Sequence, residues 1–467
     1  MGEETPNQTH EILFNDFIPL SFRITVAIHF GLILWLILNL LLTNFTSINV
    51  LHLLKLSYTP HNYTHLDDLL HNQDTNINTN NNHNHNHNQI ESLGEYAAFL
   101  PSDPHENDRL IKGIWSNLKF VSIINITCWI IYKSIANISW LTPLFYTLPL
   151  VSLFMTIYKL FFKNSYSSPG QIRIFTTIKR IIKGNINSQT MRTNDILISD
   201  SLVSYSRVIN DLGLVIWNYW FDSNIGYNYK FESMILSIPT WIRIKQCWYE
   251  YKLTGKTQHL FNLIKYSTGL GPLLINVLLK RMLLNATEQE KTSGELLLKL
   301  NHLNNWLYFA LAVNSTYSFI WDIKMDWHLE LFDGLFLVVS GKKTSHSVVS
   351  VSNYRFQILR KQLALPRSIY YIAIIIDFIL RYIWILKLFI INEELKKEKI
   401  KFIYIFSTFL FGYDAYSLGY ALIETLEIFR RWIWCFIKLE SDWVELYNDQ
   451  DLLNQDIELE TRLPKQG

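Results

Sequence analysis

The sequence predicts an all-α polytopic membrane protein of about ten membrane helices, the last six forming a charged bundle. Three observations lead there. Hydrophobic residues make up 49% of the 467 positions and aromatic residues 15%, more apolar material than one soluble core of this size uses. Several apolar runs reach the roughly 20 residues a helix needs to cross about 30 Å of hydrocarbon. From Asp195 onward, ionisable residues recur inside such runs at helical offsets. The mean hydropathy of +0.09 stays modest because polar loops dilute the spans. A formal net charge of +2 gives nucleic acid nothing to bind.

The first span is expected from about Leu20 to Leu42, with Pro19 ahead of it where a helix start tolerates proline. The acidic Glu3, Glu4, Glu11 and Asp16 precede it, and the run is long enough to span, so it does not read as a cleavable signal peptide. A polar stretch over about 44–112 follows and contains NINTNNNHNHNHNQ. Its His83, His85 and His87 read as low-complexity filler rather than a metal site. Spans are expected over about 118–135 and 140–162. Residues 172–182 then carry Arg173, Lys179 and Arg180 on an amphipathic pattern that lies in the interface or crosses as a short shielded helix. These four helices, within 20–194, read as scaffold behind a short polar N-terminus, 1–19.

The bundle is placed at 195–443. In the segment 195–221, Asp200, Arg207 and Asp211 fall at about 0°, 340° and 20° around a helix, one stripe. Residues 234–251 carry Pro239, Arg243 and Lys245. Residues 261–283 carry Lys265, with Gly269, Gly271 and Pro272 behind it; that cluster either opens the helix or permits close packing. In the segment beginning near Asn305, Asp322 and Asp326 are four apart and share a face about 40° wide. After a polar connection, 328–367, the segment 368–391 sets Asp377, Arg381 and Trp384 on one stripe. The final apolar stretch, 402–437, carries Glu424, Glu427, Arg430 and Arg431. Helical phase puts Arg431 with the two glutamates and Arg430 about 120° away. The tail, 444–467, is acidic and reads as solvated.

An ionisable residue inside a membrane costs roughly 2.5–3.5 kcal/mol unless paired or wetted. So many of them predict a shared wet cavity. Guanidinium forks and a lysine ammonium suit a small tetrahedral oxyanion, and carboxylates would hold those cations between ligands. The competing interpretation is a set of buried ion pairs that fix helix register. Cys128, Cys247 and Cys435 lie far apart in apolar segments and read as packing residues. No nucleophile or metal cluster stands out, so neither an enzyme nor a cofactor is expected.

Six segments carry a family resemblance: DSLVSYSRVINDLGL from Asp200, IPTWIRIKQCWYEY from Ile238, NLIKYST from Asn262, YSFIWDIKMDW from Tyr317, YYIAIIIDFILRYIW from Tyr370 and LEIFRRWIWCFIKLE from Leu426. In this order they resemble the EXS domain, the membrane domain of eukaryotic phosphate exporters. The resemblance implies movement of inorganic phosphate through the last six helices. By motif, Asp200 is similar to the family's first acid, Lys265 to its lysine, and Asp322 and Asp326 to its acid pair. Arg381 and Trp384 match its arginine and aromatic, and Arg430 and Arg431 its double arginine. Val203 replaces a polar residue three positions after the first acid.

Exporters of this family usually carry a cytosolic SPX domain ahead of the first span, whereas about 19 residues precede it here. Regulation through such a domain is therefore not expected. The short architecture resembles the fungal Golgi branch of the family, associated with retention of ER proteins. That resemblance implies a multi-pass Golgi membrane protein returning luminal phosphate from glycosylation to the cytosol. The alternative it leaves is a non-transporting retention factor that binds Golgi glycosyltransferases or a sorting adaptor. A homodimer is left open.

Overall fold

A computed structural model describes residues 14–46, 48, 50–54, 104–136, 138–162, 169–186, 192–221, 226–286, 294–333, 357–391, 401–411 and 416–462. Every regular element among them is helical. The His83–His87 tract lies outside them.

Helix α1, Leu20–Phe45, starts directly after Pro19 and is apolar enough to span, as expected from its run of leucine and isoleucine. It is followed by α2, Pro104–Ile135, and α3, Thr142–Phe161, which pack on each other and on α1. The described residues contain four helical stretches that meet both the length and the apolarity of a span: 20–45, 111–135, 139–161 and 367–387. The others expected to span are either long helices whose polar and charged residues lower their hydropathy or, as at 401–411, shorter ones. The amphipathic α4, Pro169–Ile182, turns its Arg180 inward to Asp195 at 2.6 Å.

The expected single helix over 195–221 is two: α5, Arg192–Ser204, and α6, Ser206–Trp220, interrupted at Tyr205. Tyr205 packs against Gly31 of α1 so closely that a Cβ at Gly31 would overlap its hydroxyl, which bonds to the Ala27 carbonyl at 3.2 Å. Helices α7, Tyr229–Thr254, α8, Thr257–Asn285, and α9, Gly294–Trp321, pack in sequence, each on the next. Gly255, at φ 68°, makes the left-handed turn between α7 and α8 that a Cβ would strain. Gly269, Gly271 and Pro272 do not open α8; a Cβ at Gly269 or Gly271 would lie 3.6 Å from Asn314 or Ala310 of α9, so the small residues serve close packing.

Helix α9 ends in a π turn, Asp322–Asp326. Helix α10, Arg367–Tyr382, passes into a 3₁₀ turn over Ile383–Lys387. The last apolar stretch is also two helices, α11, Lys401–Phe411, and α12, Leu418–Arg462. Gly419 permits their contact, because a Cβ there would meet the Phe409 carbonyl. Helix α12 packs against α1, α5, α10 and α11 and is the axis of the molecule. The largest apolar core joins it to α1, α9 and α10 through Trp434, Ile437, Leu38, Ile323 and Tyr370. Large apolar side chains such as Trp220, Trp241, Phe309 and Ile375 point outward, as a surface facing lipid does. The three cysteines are buried and unpaired.

Candidate functional site

Helix α12 carries Tyr420, Glu424, Glu427, Arg431, Trp434 and Lys438 at steps of three or four, which keeps them in one stripe. At 1.5 Å per residue the stripe is about 27 Å long, close to the hydrocarbon thickness of a bilayer. Polar side chains from neighbouring helices gather around it along its length.

At mid-height, Arg430 joins three acids. Its NH1 lies 3.1 Å from Asp377 and 3.8 Å from Asp322, and its NH2 lies 2.6 Å from Glu427. Arg381 donates through Nε to Asp377 at 2.9 Å and pairs with Asp322 through NH2. Arg431 turns to the other side, donating to Ser204 at 2.9 Å, with Asp200 at 3.8 Å. Asp200 also pairs with Arg243 at 2.7 Å and accepts from the Tyr266 hydroxyl at 2.6 Å. One level along, Lys265 lies 3.8 Å from Asp326, which accepts from Trp434 Nε1 at 3.2 Å. Aromatic faces complete the cage: Lys265 stands over Tyr266 and Trp321, and Arg431 over Trp434 at 4.7 Å.

The count is balanced. Asp200, Asp322, Asp326, Asp377 and Glu427 face Arg243, Lys265, Arg381, Arg430 and Arg431, five against five. Asp200, Asp322 and Asp377 are each 1% exposed. The charged side chains converge on one another, and their ion pairs occupy the space where an open cavity was expected. A void of about 20 Å³ remains beside Arg431, Ser201, Tyr205 and Trp432, room for about one water.

The structure corrects several details of the helical-phase argument. Arg430 is as deep in the cluster as Arg431, because α12 has polar neighbours on most of its circumference. Asp322 and Asp326 do not share partners: the π turn adds a residue to the repeat and sends Asp322 to α10 and Asp326 to α8. Asp200, Arg207 and Asp211 serve different levels of the bundle, because the rise along the axis puts Asp200 and Asp211 about 16 Å apart. Asp200 enters the central cluster, Asp211 pairs with Arg23, and Arg207 stands 5.5 Å over the Tyr420 ring. Trp384, on the 3₁₀ turn, donates to Ser315 at 3.0 Å and stacks on Tyr308.

Some participants were not singled out from sequence. Arg23, in a span read as scaffold, pairs with Asp211 and lies 3.6 Å from Glu424, tying α1 into the bundle. Its signal was a lone arginine in an otherwise apolar span, which demands a carboxylate. Arg243, named from sequence only as a charge of the segment 234–251, enters the central cluster through Asp200. Ser204 and Tyr266 offered none, since hydroxyls in apolar segments are common. Among the described residues, no group of three or more metal-ligating side chains occurs.

The chain is 27% identical over 349 residues to "Protein ERD1 homolog 1" of Schizosaccharomyces pombe, covering 70% of this chain and 77% of that protein. It is 28% identical over 313 residues to "Protein ERD1" of Kluyveromyces lactis, 63% and 69% of the two chains. With "Solute carrier family 53 member 1" of Mus musculus it shares 27% identity over 268 residues, 53% of this chain and 32% of that one. The EXS family profile matches residues 18–444, from just before the Arg23 helix to beyond the arginine pair of α12, and the chain belongs to the EXS family.

Proposed function

We propose that this protein carries inorganic phosphate across a Golgi membrane, returning phosphate released in the lumen to the cytosol and thereby supporting glycosylation and retention of ER and Golgi proteins. The observation that carries this reading is the interlocked set of five cations and five carboxylates, most of them buried, gathered around the middle of the α12 stripe. Packing alone seldom recruits so many intramembrane charges. The similarity to a solute carrier supports it.

The balanced count dictates how such a site works. A phosphate oxyanion cannot add to a neutral cluster without displacing a carboxylate from the guanidinium it holds. Arg381 and Arg430 are the natural receivers, since their forked N–H groups match two phosphate oxygens at once. Asp322 and Asp377 then act as the resting occupants that return when phosphate leaves, keeping binding weak enough for release. The π turn beneath Asp322 and the 3₁₀ turn after Arg381 are the irregular helix segments at the cluster, suited to the rearrangement that opens it. Trp384, anchored through Ser315 to the Arg381 carbonyl, moves with that arginine.

Phosphate uptake into liposomes holding the purified chain tests the reading. Flux that falls at least tenfold in Arg381→Ala supports it; absence of flux in the wild-type protein rejects it.

A second reading, a retention factor that binds glycosyltransferases or a sorting adaptor, is favoured by the length of α12. Its 45 residues extend roughly 68 Å, far more than a bilayer needs.

A further inference from the structure

Helix α4 contributes nothing to the central cluster, and its surface has a chemistry of its own. Its 14 residues extend about 21 Å, short of the hydrocarbon thickness of a bilayer. Thr177 and Ile181 are fully buried; Arg180 pairs with Asp195, and Thr177 accepts from Asn194, at the start of α5. Around the helix from these, Ile174, Phe175 and Ile182 are exposed, with Lys179 and Lys183 exposed beside them. An apolar strip edged by lysines is the surface of a helix that lies in the membrane interface. The sequence has no acidic residue between Asp108 and Asp195, so α4 and the stretches at both its ends carry basic charge only. Connections rich in Lys and Arg mark the cytosolic side of a membrane, whose leaflet holds anionic lipids.

Between the end of α4 and α7 lies an open groove of about 310 Å³. Ile182, Met234, Ile238, Trp241 and Ile242 make its walls apolar. From Met234 to Lys245 it follows α7 for roughly 16 Å, a length that suits a fatty acyl chain lying along the helix. Gly184 and Lys245 line its other end. Gly184, at φ 72°, turns the chain out of α4, and the Lys245 stem crosses it so closely that a Cβ there would overlap Lys245 Cδ. Lys245 Nζ donates to the Lys183 carbonyl at 2.5 Å and keeps two further N–H donors. This contact brings the basic end of α4 to the mouth of the groove. Trp248 and Tyr249, exposed one turn further along α7, stand where interfacial aromatic residues do. The carboxylates of this end, Asp195 and Glu250, are held by Arg180 and by Arg192 and His259. Among the described residues none pairs with Lys179, Lys183 or Lys245.

We propose that this groove is a site for an anionic phospholipid, whose acyl chain lies along α7 between Met234 and Trp241 and whose headgroup phosphate meets Lys183 and Lys245. Lys179, one turn back on α4, stands at the edge of the headgroup. An apolar channel that ends in ammonium groups matches both parts of such a molecule, whereas a zwitterionic lipid brings a cation of its own toward the lysines. The site is independent of transport, since none of its residues belongs to the central cluster.

Native mass spectrometry of the full chain, titrated in detergent with phosphatidylserine or with phosphatidylcholine, tests the site without requiring transport. Wild type is expected to retain one phosphatidylserine at about tenfold lower concentration than phosphatidylcholine, the preference that two lysines near a phosphate give. Lys183→Gln with Lys245→Gln removes the preference; the new amide still donates to the Lys183 carbonyl, so the end of α4 keeps its cap. Lys183→Arg, which keeps the charge, retains the preference. Ser237→Phe, at another lining position, fills the groove with the lysines in place and loses the retained phosphatidylserine. Lys299→Gln on the exposed face of α9 changes neither lipid's retention. The two lipids retained alike by wild type, or a preference that survives Lys183→Gln with Lys245→Gln, overturns the role of the lysines and with it the proposal. Phosphatidylserine retained undiminished by folded Ser237→Phe protein overturns the groove.

Discussion

Arg430 and Asp377 meet at 3.1 Å across the contact between α12 and α10, both almost completely buried. Removing one partner leaves the cluster one charge out of balance, because the other partners, Glu427 and Asp322 of Arg430 and Arg381 of Asp377, are already engaged. Asp377→Ala is expected to cost about 3–5 kcal/mol of stability. The combination of Asp377→Ala with Arg430→Gln restores much of it, because the charge balance of the cluster is then regained. Thermal unfolding of the four proteins in detergent gives the coupling; additive losses would show that the pair does not act as a unit.

The same logic tests whether α1 belongs to the charged bundle. Arg23 is the cation that α1 brings to Asp211 and Glu424. Arg23→Leu leaves two acids facing each other and is expected to destabilise by about 3 kcal/mol or more. Adding Asp211→Asn relieves part of the repulsion. A lone Arg23→Leu change that leaves the unfolding midpoint where it was would mean that the first helix is joined by apolar packing alone.

Lys265 presents a different balance. Its ammonium stands 3.8 Å from Asp326, longer than a direct hydrogen bond, and is flanked by Tyr266 and Trp321. So loose a partnership leaves the lysine available to a phosphate oxygen. Lys265→Gln is expected to raise half-saturating phosphate in the liposome assay about tenfold, the effect of about 1.4 kcal/mol of lost attraction. The stability cost stays smaller than for Asp377→Ala. A large loss of stability with unchanged phosphate dependence would place Lys265 among the purely structural ion pairs.

How much of this was legible in the sequence follows from the kind of signal each residue gives. Charges inside apolar runs are conspicuous, so Asp200, Asp322, Asp377, Arg381 and Arg431 could be named as inward-facing from period alone. What period cannot supply is a break in the helix. The π turn after Trp321 resets the phase, so Asp326 went to a neighbour that an ideal helix would not give it. The rise along the axis takes Arg207 away from Asp200 to the level of Tyr420, and Arg430, inside the unbroken α12, is drawn in by acids of α9 and α10 that the phase of one helix does not show. Partner choice between helices was equally hidden. Arg23 stands 188 positions from Asp211, and only the fold brings them together.

The tail of α12 separates the two functional readings. Residues beyond about 445 continue the helix past the stripe that ends near Lys438, and the central ion pairs all lie before it. If transport is the activity, deleting residues 445–467 leaves phosphate flux within about twofold of wild type, because no cation of the cluster is lost and the electrostatics that set binding are unchanged. Arg381→Ala then abolishes both flux and the retention of ER proteins in cells. If the protein is instead a docking factor, the deletion abolishes retention while Arg381→Ala, provided it is still folded, leaves retention intact. Measuring both variants in both assays assigns the helix extension and the arginine to one activity or to two, since each reading requires the opposite pair of outcomes.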